Sequence, residues 1–369
     1  MITGREPRIS SQYQHRTKAA WRLAARNVAH MLRILPDDAI TLETIEAALN
    51  NHDFLVRSSA AKRLVDRSDR EARLVLQRVL DNGTGPARAN IARHLYGLTW
   101  FSAQPMLEQA FADDDYRVRE GAAYSLCTMG TLEAYQFLID KLQYETDDQV
   151  LGAPAMEWGL YSKRDPLAVE VLKMSLKSGD ADIRAKAMEA LSTTETRAAI
   201  EPVRHTMLND PDGHVVYHAA LSYVELLEAE CVEDFAQLFP TITDPERLRP
   251  MLRGFFHATN YRHVDVSGSD YIDALIDALE VVMKNDAVQV RWQGIWCLAW
   301  MKSSRTPAII ADIYHKETNI ELKAHFLNVA VNLMSEGSEK LLEEALISCE
   351  ERLRQEAIQL VENFKNAPQ

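Results

Sequence analysis

Cysteine is scarce in this chain: four residues in 369, Cys127, Cys231, Cys297 and Cys349, lie far apart and form no C-x-x-C pair. That excludes a disulfide scaffold and a thiolate zinc site, and it fits a reducing cytoplasm, the expected localisation. Long apolar runs are missing too. None reaches the roughly 18 residues that a membrane-spanning helix needs, the stretch from Gly294 to Met301 being among the longest. Integral membrane insertion is therefore not expected, and the N-terminus shows no apolar segment of the signal-peptide type. Positive charge is in deficit: 41 Lys and Arg against 54 Asp and Glu leave a net charge of −13. A nucleic-acid groove must meet phosphates with a basic surface, so nucleic acid is not an expected partner. There is no G-x-G-x-x-G or phosphate loop, no Ser-His-Asp order that can be placed in space and no carboxylate pair with an acid–base role. His214 and His218 share a helical face, but Val215 and Val216 follow His214 where an H-E-x-x-H zinc site would carry Glu. No catalytic residue, metal ligand or cofactor is assigned, and an enzyme is not expected. Strand-like alternation bounded by two-residue hairpin turns is absent as well, which leaves an all-α chain.

What the sequence does have is a repeat. The stretches Asp53 to Leu64, Asp115 to Leu126 and Asp180 to Leu191 share one form: Asp, two residues, Val or Ile, Arg, two residues, a small apolar pair, two residues, Leu. Measured at the Val or Ile slot, units fall at Val56, Ala87, Val118, Val150, Ile183, Val215, Leu248, Val290, Leu322 and Leu353. The steps are 31, 31, 32, 33, 32, 33, 42, 32 and 31 residues. Such regularity marks a repeat architecture, and the long step marks an insertion of about ten residues between His257 and Asp270.

Each unit carries two apolar patterns of helical period. Leu42, Ile45, Ala48 and Leu49 line one face, and Val56, Ala60, Leu64 and Val65 line the next. The recurring Asp53, Asp115, Asp147, Asp180 and Asp212 stand where a helix begins, so each carboxylate can cap free N–H groups. Paired alanines let helices approach closely. The recurring Arg (Arg57, Arg88, Arg119, Arg184, Arg249, Arg291, Arg354) beside a recurring Asp predicts an architectural ladder along the stack. One helix pair cannot bury its own apolar face, so neighbours must share a core. The expected fold is an α–α superhelix, a right-handed solenoid of about ten helical hairpins.

The Asp-x-x-Val-Arg core, small pair and closing Leu resemble the HEAT-repeat family, including its PBS-lyase-like bacterial subset, over roughly residues 38 to 364. That resemblance implies a scaffold, adaptor or inhibitor holding a partner protein on an extended surface. The bilin-lyase branch of the same family suggests an alternative, a chaperone or transferase for a linear tetrapyrrole. A third branch, similar to deoxyhypusine hydroxylase, binds iron through His-Glu dipeptides, and this chain has none.

The expected organisation is a basic arm and capping helix over 1–37, a repeat array over 38–259, an inserted loop over 260–270 and a C-terminal array with its cap over 271–369. The capping helix is read from the stripe Ala20, Leu23, Ala24, Val28, Met31 and Leu32. Glu157, Trp158 and Tyr161 sit in a unit where Leu151 replaces the Arg. Two features become candidate partner-binding residues. Trp292, Trp296 and Trp300 form a W-x3-W-x3-W ladder beside the core slots. They read as interface anchors, as a platform for a flat ligand or as filler of a wider core beside the insertion. Tyr261, Arg262 and His263 lie in the inserted loop, where solenoids often carry recognition.

Overall fold

The computed structural model describes residues 11–36, 39–67, 69–156, 165–301, 303–332 and 337–366. The described residues are all helix, turn and loop, without a strand. Two compact units divide the chain, Met1–Ile183 and Arg184–Gln369. Glu157, Trp158 and Tyr161 lie outside the described residues, as does the start of the basic arm.

A long first helix, α1 (Ser11–Ile34), precedes ten hairpins. In the first unit these use α2 (Leu42–Leu49), α3 (Phe54–Arg67), α4 (Arg70–Asn82), α5 (Gly85–His94), α6 (Trp100–Phe111), α7 (Tyr116–Met129), α8 (Leu132–Leu142), α9 (Asp148–Met156) and α10 (Pro166–Ser175). The unit boundary falls in α11 (Ala181–Thr193). The second unit continues with α12 (Ile200–Asn209), α13 (Gly213–Leu227), α14 (Cys231–Leu238), α15 (Pro245–Asn260), α16 (Ile272–Val282), α17 (Val288–Trp300), α18 (Thr306–Lys316), α19 (Ile320–Asn332), α20 (Ser338–Leu346) and α21 (Glu351–Asn366).

Each unit has two layers. In the first, α1, α3, α5, α7 and α9 lie side by side, and α2, α4, α6, α8 and α10 cover them. In the second, α13, α15, α17, α19 and α21 form one layer in chain order. All ten repeat slots, Val56 through Leu353, fall on the odd-numbered helices and are buried. The repeat thus marks one buried turn of one helix per hairpin.

The five recurring aspartates cap these helices as their position requires. Each side chain accepts the backbone N–H two residues on, at 2.8 Å for Asp53, 3.1 Å for Asp115, 2.9 Å for Asp147, 2.8 Å for Asp180 and 2.7 Å for Asp212. Close approach comes from glycine where alanine would be too large. A Cβ on Gly121 would lie 2.6 Å from the Ala89 carbonyl oxygen on α5, and one on Gly254 would lie 2.5 Å from the Tyr217 carbonyl oxygen on α13.

The arginine ladder exists, with a different acid from the one expected. Arg88, Arg119, Arg184 and Arg291 reach across to the next hairpin. Their Nε donate to Asp113, Glu145, Asp210 and Glu317 at 2.7, 2.8, 2.8 and 2.9 Å. Each acid stands two residues before the cap of the next odd-numbered helix and accepts that cap residue's own N–H at 2.9 Å. Burial alone would raise these four carboxyls; the Arg and backbone N–H bonds outweigh it and hold all four below the ordinary carboxylate range. Arg249 makes no such bond. In its hairpin, Arg247 donates instead to the carbonyls of Met207 and Asp210, at 3.2 and 3.0 Å.

The capping helix α1 lies on α3 as expected, but with another face. Ala29 and Leu32 are buried, Ala25 packs beside them, and Leu23, Val28 and Met31 are exposed. Spacings of four and three with small residues let α1 come close to α3, where Arg33 Nε donates to Ser59 Oγ at 3.1 Å. The side chains of Leu23, Val28 and Met31 are turned outward.

Candidate partner-binding face of the second unit

Four neighbouring helices, α13, α15, α17 and α19, present a continuous row of aromatic and histidine side chains. Its centre is the tryptophan ladder on α17. Because 3.6 residues make a turn, side chains four apart drift around the helix, and burial changes along the ladder accordingly. Trp292 is 44% exposed, while Trp296 and Trp300 are half-buried. The ladder is therefore neither plain core nor free surface.

Trp292 lies flat on His325 of α19, with ring centroids 3.5 Å apart and planes 6° from parallel. Trp296 meets the same imidazole at 62° and 5.5 Å. Burial pushes His325 down to about 4, so at neutral pH the ring carries no charge. A neutral imidazole stacked on an indole fixes the Trp292 rotamer while one indole edge stays in water.

On the other side, Phe256 of α15 joins the ladder to the inserted loop. This buried ring lies 5.8 Å from Trp296, 6.5 Å from Trp300 and 6.0 Å from Tyr261. Tyr261, 65% exposed, also meets His257 edge-on at 5.0 Å. The His257 Nδ1 and the Tyr217 hydroxyl of α13 are 2.7 Å apart. Arg262 points outward, its Nε 3.7 Å from a Glu225 carboxylate oxygen. His263 has a left-handed backbone, φ 57°, a conformation that suits a tight exit from a helix. It lines a cavity of about 260 Å³ together with Trp300, Thr259 and Val266. The six sequence candidates thus converge on one region, through Phe256 and His325, which the sequence did not single out. Phe256 was hidden as an ordinary core residue beside Phe255. His325 was hidden because its partner is 33 residues away, a contact that no local pattern announces.

The row continues on α13. His214 and His218 meet edge-on at 4.6 Å, and His218 Nδ1 lies 3.1 Å from a Glu189 oxygen. Burial lowers the His218 titration, and Glu189 opposes that in part. Among the described residues no group of three His, Cys, Asp or Glu is placed to hold a metal ion. No described helix is long and apolar enough to cross a membrane.

No family model matches the chain, and no curated protein matches it by sequence. Solved structures do match. A Kap121p mutant aligns over 96% of this chain and 44% of its own, with a TM-score of 0.55 and 12% identity. Kap121p bound to RanGTP aligns over 91% and 42%, and Kap121p bound to Ste12p over 92% and 43%, each with a TM-score of 0.53 and 12% identity. The chain spans less than half the length of these structures. At such identity the likeness is one of fold, an all-α solenoid of HEAT-repeat type, in agreement with the repeat read from the sequence.

Proposed function

We propose that this chain is a non-enzymatic scaffold or adaptor whose second unit holds a partner protein on the face built by α13, α15, α17 and α19. The observation that carries this reading is Trp292: 44% exposed, yet stacked at 3.5 Å on His325. Binding costs free energy for every side chain that must be immobilised. A large ring already fixed in place avoids that cost, and tryptophan is enriched among residues that dominate binding energy. Phe256 gives the neighbouring loop a rigid base, so Tyr261, Arg262 and His263 extend the same face. The Kap121p structures of this fold with RanGTP and with Ste12p support a protein partner as the kind of ligand. The cytoplasm is the proposed compartment.

Site-specific photocrosslinking tests the reading. A benzoylphenylalanine at position 292 is compared with one at Phe101, an 88% exposed residue of α6 in the first unit. The expected result is a protein adduct formed at 292 and not at 101, suppressed by excess wild-type chain but not by excess W292A. Equal adducts at both positions, or equal competition by W292A, would contradict it.

A further inference from the structure

Four repeat arginines, Arg88, Arg119, Arg184 and Arg291, are paired with a carboxylate ahead of the next odd-numbered helix. Arg249 of the repeat and Arg253 one turn further on, both on α15, have no such carboxylate. They stand four residues apart on one exposed helical face, and among the described residues neither has a carboxylate within 4.0 Å. Both line a cavity of about 230 Å³ with His214, Tyr217, Pro250 and Glu246. The Arg253 guanidinium lies 4.9 Å from the Tyr217 ring centroid, which holds it over an aromatic face. Its charge is felt nearby: after burial, it is the next cause lowering His257. Glu246 is the one acid lining this cavity. It belongs to the first turn of α15, where the helix's own N–H groups already favour a negative charge. The two arginines lie mid-helix and have no such compensation.

We infer that this cavity is the charged half of the partner site, and that it takes a carboxylate of an acidic peptide segment whose apolar or aromatic residue sits on Trp292 and Trp296. The spacing supports the pairing. On α15, Arg253 is one turn before Phe256 and His257; on α17, Trp292 is one turn before Trp296, which packs against Phe256. Arg253 leans over Tyr217 of α13 and Trp292 lies on His325 of α19, so the two side chains flank the neighbouring helices α15 and α17 on their outer sides, roughly two helix spacings or about 16–20 Å apart. An extended peptide covers that distance in about five or six residues. The fork of an arginine matches a carboxylate with two parallel hydrogen bonds, and two such forks four residues apart suit more than one acid. A single strand of nucleic acid would also offer anions and flat rings. The net charge of −13 opposes it along the rest of its length, whereas a short acidic segment meets only the local cations.

This inference rests on the proposed partner face, and the experiment separates the two. Fluorescence anisotropy of the full chain is measured with three labelled probes: a peptide with a Phe flanked by Glu residues, the same peptide with Lys for Glu, and a single-stranded oligonucleotide. We expect the Glu peptide to bind at least ten-fold more tightly than the Lys peptide. R249E/R253E should abolish that preference, R249K/R253K should weaken it, and raised salt should reduce it. The inference is overturned by equal binding of the two peptides, by tighter binding of the oligonucleotide, or by an R249E/R253E variant that binds the Glu peptide as well as wild type does. If it falls while the 292 adduct persists, the partner face stands and only its charge preference is wrong. If the 292 adduct is also lost to its controls, the face itself is wrong. Circular dichroism of each variant confirms that a lost signal is not a lost fold.

Discussion

Arg291 and Glu317 are joined by two hydrogen bonds, Nε to one carboxylate oxygen at 2.9 Å and a terminal guanidinium nitrogen to the other at 3.1 Å. The same arginine donates to the Asn285 carbonyl at 2.7 Å, and the same glutamate accepts the Asn319 N–H at 2.9 Å. One pair therefore ties the turn before α17 to the turn before α19.

Removing half of this clasp should cost more than removing both halves. R291A leaves a half-buried carboxylate without its cation, which typically destabilises by about 2–4 kcal/mol. In R291A/E317Q no stranded charge remains, and part of that loss should return. Urea denaturation checks both. Because the Glu317 carboxyl is held below its ordinary value, its contribution is present above the unfolded-state titration near 4.5 and is lost as pH falls through the lower folded value.

Gly254→Ala should be among the most disruptive single-methyl additions. The new Cβ would meet backbone, the Tyr217 oxygen at 2.5 Å and the Leu221 nitrogen at 2.9 Å, so α13 and α15 must separate. A loss of about 1–3 kcal/mol follows from overpacking of this kind. Gly268→Ala is the control, because a Cβ there meets nothing within 4 Å. Its denaturation midpoint should not move.

Two half-buried histidines predict acid sensitivity well above the carboxylate range. Burial pushes both His94 and His325 down to about 4. An unfolded chain protonates these rings near 6.5, the folded one only near 4. Stability is thus full above pH 6.5 and declines as pH drops from 6.5 towards 4. Melting temperatures at pH 7.5 and 5.0 should differ in that direction, and H325Q should reduce the difference. An unchanged pH dependence in H94Q/H325Q would show that other groups cause it.

Phe256→Ala removes the ring that Trp296, Trp300 and Tyr261 share. Truncating a buried phenylalanine costs about 3–5 kcal/mol. Hydrogen exchange should show where: the segment 261–271, which leans on this ring through Tyr261, should exchange faster than in wild type. Amides of α4 and α6 in the first unit should keep their wild-type rates.

The repeat made most of the architecture legible. All ten slots read from the sequence lie buried on odd-numbered helices, and the five capping aspartates cap, because both depend on local spacing within one unit. What depends on contacts between units was harder to read. The ladder arginines reach acids 25 or 26 residues on rather than the neighbouring Asp. On α1 the apolar stripe suggested the buried face, but the small residues Ala25 and Ala29 allow the closer approach and win. At the candidate site the tryptophans and the loop were visible as unusual residue types. Phe256 and His325, which unite them, are ordinary in sequence and acquire their role from packing alone.

The central claim is that Trp292, fixed by His325, anchors a partner protein. Its most direct measurement is the affinity of the purified photocrosslinked partner for wild type and for W292A, alongside the unfolding free energy of each. The account predicts at least ten-fold weaker binding by W292A, with a stability loss of only about 1 kcal/mol, the size of one aromatic stacking contact. Equal affinities, or a loss of binding that merely follows a large loss of stability, would contradict it.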